Sequence, residues 1–181
     1  MRMIGRAAAG VVLALLGWWF ALRGPSASLL LGLARVPLAL LVAPSGLPAV
    51  TANAAGEWLF NVEVGARSVE FAAEPGTADD FTAGWFIYLG LAFAAGAMAD
   101  GGWRSVAKGL LAQVVMGLAD LTLFVMVSGH AALLGPGDDG WRSFFGVADY
   151  VLGGVIPLAG PFAVALIFHP KWRGYFQPYV T

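Results

Sequence analysis

No cysteine occurs in the chain, and its absence removes disulfides, thiolate nucleophiles, iron–sulfur ligation and cysteine-linked lipid anchors from consideration. Charge is scarce as well: only 12% of the 181 residues are Asp, Glu, Lys or Arg, about half of the roughly 25% usual in a soluble domain. The formal net charge is −1 and neither end carries a polybasic run, so no basic field exists to gather a nucleic-acid backbone. Histidine occurs only at His130 and His169, far apart and without a carboxylate motif beside either, which gives no reason to expect a metal site. No cofactor pattern is present. What the chain does have is apolar surface, with 59% hydrophobic residues and a mean hydropathy of +0.77. A water-soluble core of this size could not bury so much, and the composition points to a single membrane domain over residues 1–181.

Four stretches have the length and apolarity of spans. Residues 7–22 follow Arg2 and Arg6 and end in Trp18-Trp19-Phe20 beside Arg23, which reads as an aromatic anchor at the outer interface. The same stretch has the outline of a signal peptide, with Ser26-Ala27-Ser28 as a cleavage site, but the bulky aromatics fit a retained helix better. Residues 81–99 are rich in Gly84, Gly90, Ala94, Ala95 and Gly96, small residues that suit close helix packing. Residues 106–128 form the third span and residues 144–168 the fourth. Pro157 and Pro161 in the last should free backbone carbonyls and kink it.

Residues 28–42 are apolar but short, and Arg35 and Pro37 lie inside them. An arginine at the centre of a lipid-exposed helix costs at least about 2.5 kcal/mol, so an interfacial or re-entrant helix is expected there. Charge counting agrees. Four spans place Arg2, Arg6, Arg104, Lys108, Lys171 and Arg173 on the cytoplasmic side against Arg23, Arg35, Arg67 and Arg142 outside, whereas a fifth span reverses the bias. The expected location is therefore the bacterial inner membrane, multi-pass, with both termini cytoplasmic and residues 23–80 outside.

Within that external segment, residues 57–73 read EWLFNVEV-GA-RSVEFAA, near-strict alternation about a glycine-first two-residue turn, the signal of a type II′ hairpin. Val62 should then face Val69, Phe60 face Phe71 and Trp58 face Ala73, all on one apolar side, with Glu57, Asn61, Glu63, Ser68 and Glu70 opposite and Leu59 the exception. An isolated two-stranded ribbon is marginal in water, so its apolar face needs cover from the membrane surface, from residues 29–42 or from a partner. The fold expected overall is an all-α membrane protein of four transmembrane helices with a short extracytoplasmic β-hairpin and an interfacial or re-entrant helix.

Candidate functional residues follow from the polar groups in these apolar surroundings. Asp120 lies inside the third span, and Gln113, seven residues earlier, shares its helical stripe. Asp149 enters the fourth span from the outer side. Ionisable groups in such positions are functional candidates. Two aspartates on adjacent helices suggest an intramembrane aspartyl dyad, yet neither Gly117–Asp120 nor Ala148–Tyr150 matches the motifs of known enzymes of that kind. Ser128 and His130 are too close in sequence at a helix end to form a catalytic pair. Trp58, Phe60 and Phe71 join Gln113, Asp120 and Asp149 as candidates for partner contact or helix packing, and no catalytic residue is assigned.

The order of features resembles the exosortase H-associated membrane proteins, small bacterial proteins that accompany a dedicated exosortase. The likeness rests on LLGWWFAL at the end of the first span, the external apolar-alternating ribbon, FTAGWFIYLGL, a third span with an internal acid, and ADYVLGGVIPLAGPFAVALIF. It is one of architecture without a diagnostic motif. What it implies is a non-catalytic accessory or assembly subunit of an envelope protein-sorting system, surrounded by membrane lipids and bound to an exosortase-like membrane protein. A small intramembrane enzyme or transporter using Asp120 and Asp149 is the alternative.

Overall fold

A computed structural model describes residues 2–43, 49–52, 57–73, 77–96, 102–134 and 137–176. Helix α1 (Arg2–Gly17) passes through a wider, π-helical turn at Trp18–Leu22 into α2 (Arg23–Leu41). Strands β1 (Val50–Ala52), β2 (Trp58–Val64) and β3 (Arg67–Ala72) follow, then α3 (Thr77–Ala94) and α4 (Trp103–Ala132). Helix α5 (Asp139–Tyr150) passes through a second π-helical turn at Val151–Val155 into α6 (Ile156–Phe168), and α7 (Pro170–Phe176) closes the described chain. The protein is thus mostly helical with one small antiparallel sheet.

Both widened turns have the same cause. Pro25 and Pro157 each lie just beyond one, and a proline ring crowds the carbonyl four residues back while offering no N–H. The chain responds by lengthening the loop of the helix: Arg23 N–H reaches the Trp18 carbonyl and Ile156 N–H reaches the Val151 carbonyl, five residues back in each case. Prolines that the sequence presents as breaks are in this way carried inside continuous helical rods. At the end of α6, His169 adopts an extended conformation (φ −121°, ψ 98°), as a residue before proline prefers, and the chain turns into α7.

Three helical stretches are long and apolar enough to cross a membrane: Ile4–Leu41, Trp103–Ala132 and Asp139–Phe168. Their composition marks a membrane protein. Phe81–Ala94 is apolar but shorter, and residues 97–99 of the stretch expected to span there lie outside the described residues. The first stretch corrects one expectation. Residues 28–42 do not form a helix separate from the first span, because the turn before Pro25 keeps the helix intact and Ser26, Ala27, Leu30, Ala34 and Leu38 bury one face of the continuation.

Helix α3 is the central helix, packed against α1, α2, α4 and α6. Phe81, Thr82, Trp85, Tyr88, Leu91 and Ala92 bury its circumference, which explains why its apolar residues show no single stripe. Its small residues set the closest approaches. A β-carbon built on Gly90 would lie 2.6 Å from the Val11 Cα, and one on Gly84 would lie 2.8 Å from the Pro157 carbonyl oxygen. Backbone therefore meets backbone at both crossings. Trp18 Nε1 donates to Thr82 Oγ1 (3.3 Å), as does Ser26 Oγ (3.2 Å), tying the first rod to α3 at the start of the widened turn and just beyond it.

Strands β2 and β3 pair antiparallel with Val64 opposite Arg67, Val62 opposite Val69 and Phe60 opposite Phe71. Gly65 has φ +64° while no non-glycine residue among those described has positive φ, so only the first turn residue has positive φ, as in a II′ turn. Strand β1 adds a third strand on the other edge of β2, with Val50 opposite Phe60, and the Glu63 N–H reaches the Val42 carbonyl at 2.7 Å. The ribbon is not left with an open apolar face. Phe60 and Val62 pack with Leu38, Val42, Phe124 and Val125 in one core cluster, and the sheet lies over α2 and α4. A second cluster, with Ala7, Ile87, Tyr88, Leu91, Val106, Val164 and Trp172, fills the other end of the bundle.

Candidate functional site

Gln113, Gly117 and Asp120 recur at helical spacing on α4 and are all buried. The small residues opposite make room for them. A β-carbon on Gly84 would lie 3.5 Å from Gln113 Oε1, and one on Gly117 would lie 3.4 Å from Trp85 Nε1. Side chains of α3 therefore reach the α4 backbone directly. Three buried polar atoms on these helices, Trp85 Nε1, Gln113 Nε2 and Asp120 Oδ1, have no hydrogen-bond partner among the described residues. Leaving such a group unsatisfied costs about 1–3 kcal/mol.

Asp149 stands elsewhere. Its carboxylate is exposed and accepts a hydrogen bond from Ser128 Oγ at 2.9 Å. Ser128 is eight residues beyond Asp120 on α4, a rise of about 12 Å. One carboxyl group faces into the bundle and the other out of it, so the two aspartates do not share a site in which a proton could pass between them. His130 is likewise apart from Ser128: its Nδ1 contacts the Met126 carbonyl oxygen at 2.8 Å and its ring lies against Phe145. Among the described residues no three His, Asp or Glu side chains gather where a metal could bind.

The aromatic candidates on the sheet divide by depth. Phe60 is fully buried, whereas Trp58 and Phe71 are half-buried, with the Phe60 and Phe71 rings 5.6 Å apart. Phe60 is thus a core residue of the sheet-to-helix contact and has no surface to offer. A larger exposed apolar surface belongs to α2, where Leu29, Leu33, Val36 and Leu40 are all exposed. Their spacing of four, three and four places them in one stripe opposite the buried face. Sequence reasoning treated this stretch as a short helix with an unfavourable arginine and did not extract the stripe, although its period is legible once the segment is known to be helical.

A further polar cluster was missed altogether. Tyr88 from α3 holds its hydroxyl 3.0 Å from His169 Nε2, with the carbonyl oxygens of Ser105 and Val106 at 3.2 and 3.3 Å, and the two rings stack at 5.7 Å. Trp172 Nε1 donates to the Leu91 carbonyl at 3.1 Å beside it. Burial lowers the His169 pKa from its ordinary value. Only the three-dimensional fold brings Tyr88 and His169 together, since 81 positions separate them. Comparison with protein-family models, characterised proteins and solved structures finds no match for the chain.

Proposed function

We propose that the protein is a non-catalytic accessory or assembly subunit of a bacterial envelope protein-sorting system of the exosortase type, docked on a membrane partner through the exposed stripe of α2. The α2 stripe carries this reading. Ile4–Leu41 is 38 residues long, about 57 Å as a helix, nearly twice the hydrocarbon thickness of about 30 Å. The rod is therefore longer than one perpendicular crossing, and its second half packs against α3 and α4 with the stripe turned away from them. Leu29, Leu33, Val36 and Leu40 then form a helix-docking surface of the kind a partner helix covers.

The orientation that goes with it is an inner-membrane protein with four crossings, residues 7–22, α3, α4 and α5–α6, and both termini cytoplasmic. Arg6, Arg104, Lys108, Lys171 and Arg173 lie where α1 and α4 begin and α6 ends, the end that the positive-inside rule assigns to the cytoplasm. Sheet and α2 then face outward. The exosortase assignment of the partner rests on the resemblance in feature order.

Purification of the tagged protein from its native membrane in mild detergent, followed by identification of what co-purifies, tests this reading. Recovery of one stoichiometric membrane protein, lost when Leu33 and Val36 are replaced by serine, supports it. A monomer that by itself hydrolyses or transports a substrate in an Asp120-dependent way would establish the enzyme or transporter reading instead.

A further inference from the structure

At the opposite end of the molecule, an open cleft of about 590 Å³ lies between α1, the end of α3 and α7, lined by Arg6, Gly10, Leu13, Phe93, Gly96 and Lys171 among others. Local sequence builds it. The crossing at Gly10 and Gly90 brings α1 against α3, and Arg6 and Leu13, one helical turn to either side of Gly10, fall on the same flank. Gly96, at φ +64°, ends α3 in the left-handed conformation of a helix cap. The turn at His169 and Pro170 then carries Lys171 across, so that its Nζ lies 3.7 Å from where a β-carbon on Gly96 would sit.

The result is a graded surface. Two cations stand at the outer end, while Leu13 and Phe93, both exposed, form the wall nearer the middle of the bundle. No carboxylate lines the cleft among the described residues. We infer that this cleft binds an anionic phospholipid, its phosphodiester between Arg6 and Lys171 and an acyl chain along Leu13 and Phe93. The guanidinium offers a planar fork that matches phosphate oxygens, and the ammonium has three hydrogens, enough to serve a phosphate oxygen beside a partner within the protein. Basic clefts between helices at the cytoplasmic surface face the leaflet where anionic headgroups are found. A soluble phosphate would use the cations but leave the apolar wall bare, and a zwitterionic lipid would bring its own cation beside Arg6 and Lys171. The inference takes the cytoplasmic placement of the cleft from the orientation proposed above, but it stands on different residues from the α2 stripe and does not depend on partner docking there.

Native mass spectrometry of the full-length, delipidated protein in a neutral detergent tests it, with dioleoyl-phosphatidylglycerol and dioleoyl-phosphatidylcholine offered in equal amounts. Wild-type protein should retain phosphatidylglycerol preferentially. Arg6→Gln and Lys171→Gln should each reduce that retention roughly fivefold. Arg104→Gln with Lys108→Gln, which removes two charges at the same end outside the cleft, should leave it unchanged. If Lys171→Gln does not fold, Arg6→Gln on its exposed side chain carries the test alone. Equal retention of both lipids by wild type, unchanged retention in Arg6→Gln, or equal loss in the Arg104/Lys108 variant would each overturn the site. Displacement by inorganic phosphate at the lipid's concentration would show an anion site without an acyl component and would overturn it too.

Discussion

Replacing Gly90 by alanine places a methyl group where the backbone of α1 already is. The new β-carbon would lie 2.6 Å from the Val11 Cα and N and 2.8 Å from the Gly10 carbonyl carbon, whereas carbon atoms in contact prefer about 3.5–4.0 Å. Nothing soft can yield, since the obstacle is main chain, so α1 must move away by about 1 Å to restore that spacing. That shift loosens Ala7, Ile87 and Leu91 in the cluster at this end and stretches the bond from Trp18 to Thr82. Overpacking of this kind costs about 1–3 kcal/mol. Alanine also raises helix propensity, and Gly17→Ala in α1, with nothing within 4 Å of the new β-carbon, supplies that term alone at about 0.5–1 kcal/mol in the stabilising direction. Gly90→Ala should therefore be less stable than Gly17→Ala by about 1–3 kcal/mol, in reversible unfolding by dodecyl sulfate in mixed micelles followed by circular dichroism. Gly10→Ala, whose methyl would meet the Gly90 carbonyl oxygen at 2.7 Å, should behave alike, and the double variant should cost less than the sum because both methyls open the same gap. Equal stability of the Gly90→Ala and Gly17→Ala proteins would refute the close crossing of α1 and α3.

Phe60→Ala should destabilise the protein by about 3–5 kcal/mol in the same assay, as a buried aromatic does. Trp58→Ala, at a half-buried position, should cost clearly less, and the reverse order would mean that the ribbon does not cover α2 and α4. Acidification provides a separate check. Burial holds the His169 pKa below its unfolded value, which is about 6.5. The unfolded chain thus takes up the proton first, and stability is full above about pH 6.5 and falls as the pH drops toward the folded pKa. Thermal midpoints in detergent should show that slope, and His169→Gln should flatten it. For orientation, single cysteines at Gly65 and Gly137 should react with a membrane-impermeant thiol reagent added outside intact cells, while one at Gly102 should not; labelling of Gly102 alone would contradict the four-crossing arrangement.

What was legible in the sequence was local. The paired strands could be read because alternation and a glycine-first turn act over a few residues, and Val62 does lie opposite Val69. Strand β1 could not, since three residues carry no period and owe their conformation to the free edge of β2. The shared stripe of Gln113 and Asp120 followed from helical geometry. That Asp149 points outward to Ser128 did not, because the rotation of α5 relative to α4 is set by packing. Arg35 and Pro37 argued for an interfacial or re-entrant helix over residues 28–42, whereas a single widened turn joins that stretch to the first span as one rod. Small residues in α3 announced close packing, but which glycine meets which helix is decided only when α1 and α6 arrive.

The α2 stripe bears the functional account, so photo-crosslinking from it in native membranes is the most direct measurement. A benzophenone amino acid at Leu33 or Val36 should give one discrete protein adduct, whose identification names the partner, while the same probe at Leu111, exposed on α4 within the apolar span, should give lipid adducts only. Lipid adducts alone from Leu33 and Val36 would contradict the docking of a partner on α2.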